Sequence, residues 1–383
     1  MKIDINLHRR IFEDTIDSFE SIMLSNNLTR VKAEPIIPKK DTSLLFTNST
    51  IVPLKEIILD AGQNDRGYFV TQDCIRLRIL NEIRDNKSIR QKVPVFRMIG
   101  SFIHQDDRDF ILSILSEYLI ESFCIKKDRL IVLIPENSDR DWIKISKAHG
   151  YKCRQTKSYT WNYGIDNCHG YGVAIAFVSS DSTTKILGNI VGIYRENRLI
   201  GYEFGFGVEA LIGKGLYDKK PIDASHSYLI GREIYPNKNI DVLSNLISIV
   251  SVFSHLDIEK HDSKSRWWLR NKAFRLCAKE ICENNISLNI AKAWIEKYNS
   301  LFLNSNVDTA GAVLDLNSLV TEILNAPKRF ENFLKSQEAL YEQRGLGVLK
   351  YTNIDDLKKS GTEMSVPEEL ISDLVLKYKP WSI

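Results

Sequence analysis

The hydrophobic pattern changes period after Pro236-Asn237, and that change constrains the fold more than any other feature of the chain. Upstream, from about residue 8 to 235, short β-rich runs alternate with helical patterns. Leu130-Ile131-Val132-Leu133-Ile134-Pro135 is a continuous apolar run closed by proline and reads as a buried strand. Further strands are expected over residues 171–179, 190–195 and 198–204, the last two joined by Glu196-Asn197 as a short turn. Strands linked by hairpins favour a largely antiparallel sheet over a doubly wound parallel one. Downstream, helical periodicity runs over residues 240–255, 264–283, 287–302 and 314–340. Val366-Pro367-Glu368-Glu369 then has the composition of a helix start, with proline near the first turn. The expected fold class is α+β: an antiparallel sheet flanked by helices over residues 1–237, followed by an all-helical domain over 238–383.

At 383 residues the chain exceeds one ordinary core of ~100 to 150 residues, in keeping with two or three domains. No apolar run approaches the ~18 to 20 residues that a membrane-crossing helix needs. The start, Met1-Lys2-Ile3-Asp4-Ile5-Asn6, lacks the charged-then-apolar order of a signal peptide, so a cytoplasmic protein is expected. Cys74, Cys124, Cys153, Cys168, Cys277 and Cys282 form no C-x-x-C pair and have no paired-histidine partner, which argues against zinc and a disulfide framework. His104 and His169 also lack partners at metal-ligand spacing.

A net charge of +3 is too small to mark a nucleic-acid binder, so such a role must rest on local clustering. One cluster exists. Lys264, Arg266, Arg270, Lys272, Arg275 and Lys279 interleave with Trp267, Trp268, Leu269, Phe274 and Leu276. As a helix this segment buries aromatic residues on one side and offers cations on the other, either to backbone phosphates or simply to water. Two glycine motifs are set aside. Gly205-Phe206-Gly207 lacks the third glycine of a dinucleotide fingerprint and follows a hairpin; Gly213-Lys214-Gly215 lacks the Ser or Thr that follows a P-loop lysine.

Several stretches, taken in order, carry a family resemblance. Pro35-Ile36-Ile37-Pro38-Lys39-Lys40-Asp41-Thr42-Ser43-Leu44-Leu45-Phe46-Thr47-Asn48-Ser49 resembles the start of the alanyl-tRNA synthetase catalytic domain, where a proline, a basic pair and an aspartate precede L-L-F-T-N. Thr71-Gln72-Asp73-Cys74-Ile75-Arg76 resembles the second-motif strand S-Q-x-C-I-R, and Phe96-Arg97-Met98-Ile99-Gly100-Ser101-Phe102 resembles F-E-M-L-G-N-F. Leu187-Gly188-Asn189-Ile190-Val191 is similar to the strand carrying G-N-L-V. Glu203-Phe204-Gly205-Phe206-Gly207-Val208-Glu209-Ala210-Leu211 is similar to the third motif, D-T-G-M-G-L-E-R-L. In the helical part, Ser265-Arg266-Trp267-Trp268-Leu269-Arg270 resembles R-G-Y-V-L-R-R, and Arg329-Phe330-Glu331-Asn332-Phe333-Leu334 resembles R-F-x-x-T-L.

The resemblance implies a class II aminoacyl-tRNA synthetase scaffold with catalytic and tRNA-recognition domains, and a paralogue without the family's editing and C-terminal domains. It implies activation of a small amino acid by ATP, with Mg²⁺ as part of the substrate complex, and transfer to a tRNA acceptor stem or another acceptor. Neither DNA nor a membrane is implied as a partner. In-line attack of a carboxylate on the α-phosphorus requires positioned anions and stabilised charge, which suits arginine, backbone N–H groups and Mg²⁺. By resemblance, Arg76 is the catalytic arginine that contacts the α-phosphate and the substrate carboxylate. ATP would also meet Phe96, Arg97, Gly205 and Gly207; the amino acid would meet Trp161, Asn189 and Glu203; the RNA would meet Arg266, Arg270 and Arg275.

The sequence also departs from the family. Ala210 replaces the third-motif arginine, Arg97 a second-motif glutamate, and Glu203 an aspartate, while a Thr-Glu pair becomes Val173-Ala174. These changes leave two functions open, an enzyme of altered or weak activity and a non-catalytic RNA-binding or regulatory relative. Phe96 and Trp161 fit either a pocket wall or the core. Arg97 fits either a cation that compensates for Ala210 or a locally paired side chain.

Overall fold

The computed structural model describes residues 4–59, 66–82, 89–104, 107–136, 140–157, 160–161, 167–256, 258, 264–303, 309–344 and 354–378. Its centre is one sheet built from β1 (Thr29–Arg30), β2 (Gly67–Ile75), β3 (Val95–His104), β4 (Leu130–Pro135), β5 (Lys152–Thr156), β6 (Thr160–Trp161), β7 (Cys168–Val178), β8 (Thr184–Arg195) and β9 (Arg198–Gly207). The strand order is β1-β2-β3-β9-β8-β7-β4-β5, with β6 paired to β7. The central pairings are antiparallel, as hairpin-linked strands require. The outermost pairs, β1 with β2 and β4 with β5, are parallel, and β4 reaches β5 through the helix Arg140–Ala148. Glu196 and Asn197 both take positive φ (50° and 64°), the backbone form that a two-residue hairpin loop between β8 and β9 demands.

Alternation along each strand divides the residues between two faces. Val95, Ile99 and Ile103 of β3 and Tyr202, Phe204 and Phe206 of β9 enter the main core, with Leu130, Val132 and Ile134 of β4. The opposite face carries two smaller apolar clusters. Tyr68, Val70, Phe102 and Ile193 pack with Leu54 and Ile58 of the helix Ile51–Leu59, while Ile131, Leu133, Ala174 and Ala176 form the other. The strand residues between those clusters face an open cleft.

After β9 the chain is helical. The helix Asp241–His255 is buried nearly all round, and its buried Ser244 and Ser248 hydroxyls donate back to the carbonyls of Asp241 and Asn245. The helices Lys264–Glu283, Leu288–Tyr298 and Ala310–Arg344 follow. The main core is continuous from Ile5 in the first helix to Val320, so the sheet and these helices share one interior. A separate core joins Ala326, Phe330 and Leu334 to Leu357, Ile371 and Val375 of the terminal helices Ile354–Glu363 and Glu368–Lys377 and to Val366 between them. Among the described residues no helix is long and apolar enough to cross a membrane.

Candidate active site

Four neighbouring strands supply the floor of the cleft. Glu203, Gly205 and Gly207 project from β9; Asn189 and Val191 from β8; Phe96 and Met98 from β3; Arg76 follows the end of β2. Register fixes these neighbours: Gly205 lies opposite Asn189 on one side and Gly100 on the other, and Gly207 lies opposite Met98. Glycine at 205 keeps the floor low, because a Cβ there would stand 3.2 Å from Thr50 Oγ1 and 3.3 Å from Met98 Cε.

The cleft has two connected halves. One, of about 450 Å³, is lined by Arg76, Trp161, Asn189, Val191, Glu203 and Gly205, with Asp41, Ser43, Asn48, Ser49 and Lys55 on its far wall. The other, of about 430 Å³, is lined by Phe96, Gly207, Glu209, Ala210 and Lys214. Arg76, Met98, Asn189 and Gly205 belong to both, so Arg76 stands at the junction.

Arg76 is anchored without being neutralised. Its Nε donates to the Asn48 carbonyl at 2.9 Å, and its guanidinium carbon lies 4.8 Å from the centre of the Phe96 ring. Surrounding protein desolvates the guanidinium and pulls its pKa down, with Cys74 and Glu203 acting in the opposite direction. The side chain stays exposed to the cleft, so a phosphate or carboxylate can reach the remaining N–H groups. Glu203 is 8% exposed, and its Oε1 accepts from Thr50 Oγ1 at 3.4 Å. A buried carboxylate opposite a guanidinium suits a zwitterion, with the ammonium at Glu203 and the carboxylate at Arg76.

Arg97 corrects the sequence expectation. Phe96 and Met98 face the cleft, so Arg97 between them faces the other side of the sheet. There Nε donates to Asp73 Oδ1 at 2.6 Å, directly across the β2–β3 ladder, and Nη2 donates to the Phe302 carbonyl at 3.4 Å. The guanidinium lies 5.2 Å from the Phe302 ring and 5.8 Å from the Phe12 ring. Burial opposes its charge, but Asp73 and Glu209 more than offset this and hold its pKa above the ordinary value. Arg97 is the locally paired side chain, and it lines neither half of the cleft.

Glu209, 2% exposed, accepts the Arg97 backbone N–H at 3.2 and 3.3 Å. Burial pushes its pKa up to about 8, against the pull of backbone N–H donors and Arg97. Ala210 presents only a methyl to the nucleotide-sized half, 3.8 Å from where a Cβ on Gly207 would stand.

The basic helix Lys264–Glu283 is tied inward. Arg266 Nε donates to the Leu45 carbonyl at 2.9 Å and Nη2 to the Leu44 carbonyl at 3.4 Å, which fixes the loop walling the Glu203 half of the cleft. Arg270 pairs with Asp315 at 2.6 Å and lies 4.4 Å from the Phe274 ring; Arg275 reaches Glu322 at 3.4 Å. None of the three lines either half of the cleft.

Sequence reasoning missed three polar residues here. Asp41 Oδ2 accepts from Lys55 Nζ at 2.9 Å, and hydrogen bonds from Ser43 and then Lys55 hold its carboxylate pKa below the usual value. Asp41 lay within a quoted motif, but Lys55 and Lys214 carried no motif signal that survived. Among the described residues no group of three or more His, Cys, Asp or Glu side chains could hold a metal ion.

Comparison with known proteins bears on this geometry. Residues 17–166 match the family model described as tRNA synthetases class II (A). The chain is similar to the alanine-tRNA ligase of Wolbachia pipientis wMel, 24% identical over 244 residues, which is 61% of this chain and 27% of that protein. The alanine-tRNA ligase of Halorhodospira halophila (strain DSM 244 / SL1) is 33% identical over 115 residues, 28% of this chain and 13% of that protein. The chain thus spans about a quarter of the length of the first of these relatives. Among solved structures, apo histidyl-tRNA synthetase of S. aureus matches over 57% of this chain and 69% of its own, at 10% identity and a TM-score of 0.39. Asparaginyl-tRNA synthetase of Entamoeba histolytica with asparaginyl-adenylate matches over 58% and 66%, at 9% identity and a TM-score of 0.38.

Proposed function

The chain is an alanyl-tRNA synthetase-like protein with a class II synthetase domain, and from that premise we propose that its cleft activates a small amino acid with ATP and hands it to tRNA or another acceptor. The observation that carries this reading is Arg76 at the junction of two half-clefts, one holding Glu203, Asn189 and Trp161 and the other Phe96 and Gly207. The substrate ammonium sits against Glu203 and Asn189, its carboxylate turns toward Arg76, and adenine lies on Phe96 above the low floor of Gly205 and Gly207. The carboxylate oxygen attacks the α-phosphorus while Arg76 takes the charge that develops there. Mg²⁺ arrives on the phosphates of ATP as part of the substrate. Residues 1–237 act as the catalytic unit and 238–383 as a tRNA-recognition-like unit in the cytoplasm.

One observation favours a second reading. Ala210 leaves the wall of the nucleotide half without the charge that the resemblance expects there, which suits a binding or regulatory relative that performs no adenylation. Binding of a non-hydrolysable alanyl-adenylate analogue, measured by calorimetry on wild type and Glu203→Gln, tests the cleft itself. The enzyme reading expects saturable binding that weakens markedly in Glu203→Gln; absence of binding to wild type would remove both the amino-acid and the nucleotide assignments. Amino-acid-dependent turnover then separates the enzyme from the binding relative.

A further inference from the structure

The nucleotide half of the cleft does not close at Ala210. Past Gln91, Ile186 and Lys214 it opens into a depression of about 970 Å³. Five cations line that depression against three carboxylates, and each carboxylate is already engaged, two of them by Arg90 and Lys185 of the same lining. Asp223 pairs with Arg90 at 2.8 Å, Asp218 pairs with Lys185 and Arg129 at 2.8 Å each, and Asp181 accepts from Ser179 and Thr183. Lys214, Lys219 and Lys220 remain without an acidic partner among the described residues.

Lys214 is the best placed of the three. It sits on the π-helical turn Ile212–Leu216, directly after the short helix Val208–Leu211 that carries Ala210. Such turns are rare and are frequent at functional sites, although the described residues include two others, Glu117–Ser122 and Asn299–Leu303. Gly213 allows the turn to close on its neighbour, because a Cβ there would stand 2.7 Å from the Lys220 carbonyl oxygen. The Lys214 ammonium donates to the Ile186 carbonyl at 2.6 Å, leaving further N–H donors for a ligand. Burial and then the neighbouring Lys185 both act to lower its pKa, the condition of an ammonium that an anion would stabilise.

We propose that Lys214, backed by Lys219 and Lys220, holds the terminal phosphates of the nucleoside triphosphate, supplying from one turn further along the charge that Ala210 lacks. This rests on the adenylation reading of the cleft. As the carboxylate oxygen forms its bond to the α-phosphorus, the bond between that phosphorus and the bridging oxygen to the β-phosphate breaks. The electron pair leaves with pyrophosphate, whose added charge Lys214 takes, and the depression gives pyrophosphate its way out.

Equilibrium dialysis of labelled ATP and AMP against the full chain tests this with wild type, Lys214→Met and Lys214→Arg. Lys214→Met is expected to weaken ATP binding about 10- to 100-fold, the worth of one charge-assisted contact. AMP binding stays unchanged, and Lys214→Arg retains most of the ATP preference. An unchanged ATP-to-AMP ratio in Lys214→Met, or equal loss of both nucleotides, would overturn the assignment while leaving adenylation in place. Failure of wild type to bind either nucleotide would sink the adenylation reading and the assignment with it.

Discussion

Arg97 shows how a motif can keep its place while a charge within it turns to the other side of the sheet. The Phe-Arg-Met sequence contained the evidence for Arg97's position, because successive strand residues cannot face the same way and Phe96 was already assigned to the nucleotide. Arg76, Asn189, Glu203 and Gly205 were legible as a set because a motif specifies strand and parity together. Lys214 was not, since its relevance depends on Ile186 and Gln91, which lie far away in the chain. Glu209 carries a prediction about pH. Its folded pKa, about 8, lies above the ordinary glutamate value of 4.5, so between those limits the folded protein binds more protons than the unfolded chain. Its contribution is fully present below about pH 4.5 and is lost as pH rises through about 8. Glu209→Gln removes that dependence and is expected to be more stable than wild type at pH 8.5 by a few kcal/mol, on the order set by the shift. At pH 5 the advantage disappears. Urea denaturation of both proteins at the two pH values checks this; parallel profiles would show Glu209 to be charged in the fold.

At the scale of elements, periodicity found the long helices and the β8–β9 turn, because those depend on neighbouring residues. What it missed was where the cations on the helix Lys264–Glu283 point. Asp315 and Glu322 lie 45 and 47 residues from their arginine partners, and the Leu45 carbonyl lies 221 residues from Arg266. No local pattern encodes such pairings. Arg266 acts here through the loop that walls the amino-acid half of the cleft. Arg266→Ala should therefore lower amino-acid activation by about 10- to 100-fold, the scale on which loss of positioning acts, while changing thermal stability little. Activation assays and melting curves on the same samples decide it. A large drop in melting temperature with unaltered activation would make the contact purely structural.

Across the whole molecule, the α+β expectation holds, and the parallel pairings at both ends of the sheet are the modification. The change of hydrophobic period after residue 236 marks where the strands have ended, but period says nothing about which elements share a core. Interior contacts join the sheet to helices as far as Val320, whereas residues from Ala326 onward form a small core of their own. That separation predicts independent stability. Phe330→Ala, in the middle of the small core, should destabilise it by ~3 to 5 kcal/mol while the cleft keeps its ligand affinity. Hydrogen exchange should show lost protection confined to the helices around residues 326–378, and loss spreading through the sheet would contradict the separation.

The central claim is that one cleft, with Arg76 at its junction, performs adenylation. ATP–pyrophosphate exchange with each of the twenty standard amino acids on purified wild type and Arg76→Ala addresses it most directly. The account predicts exchange with one small amino acid, abolished by Arg76→Ala. Absence of exchange at high protein concentration, or exchange that survives in Arg76→Ala, would contradict it.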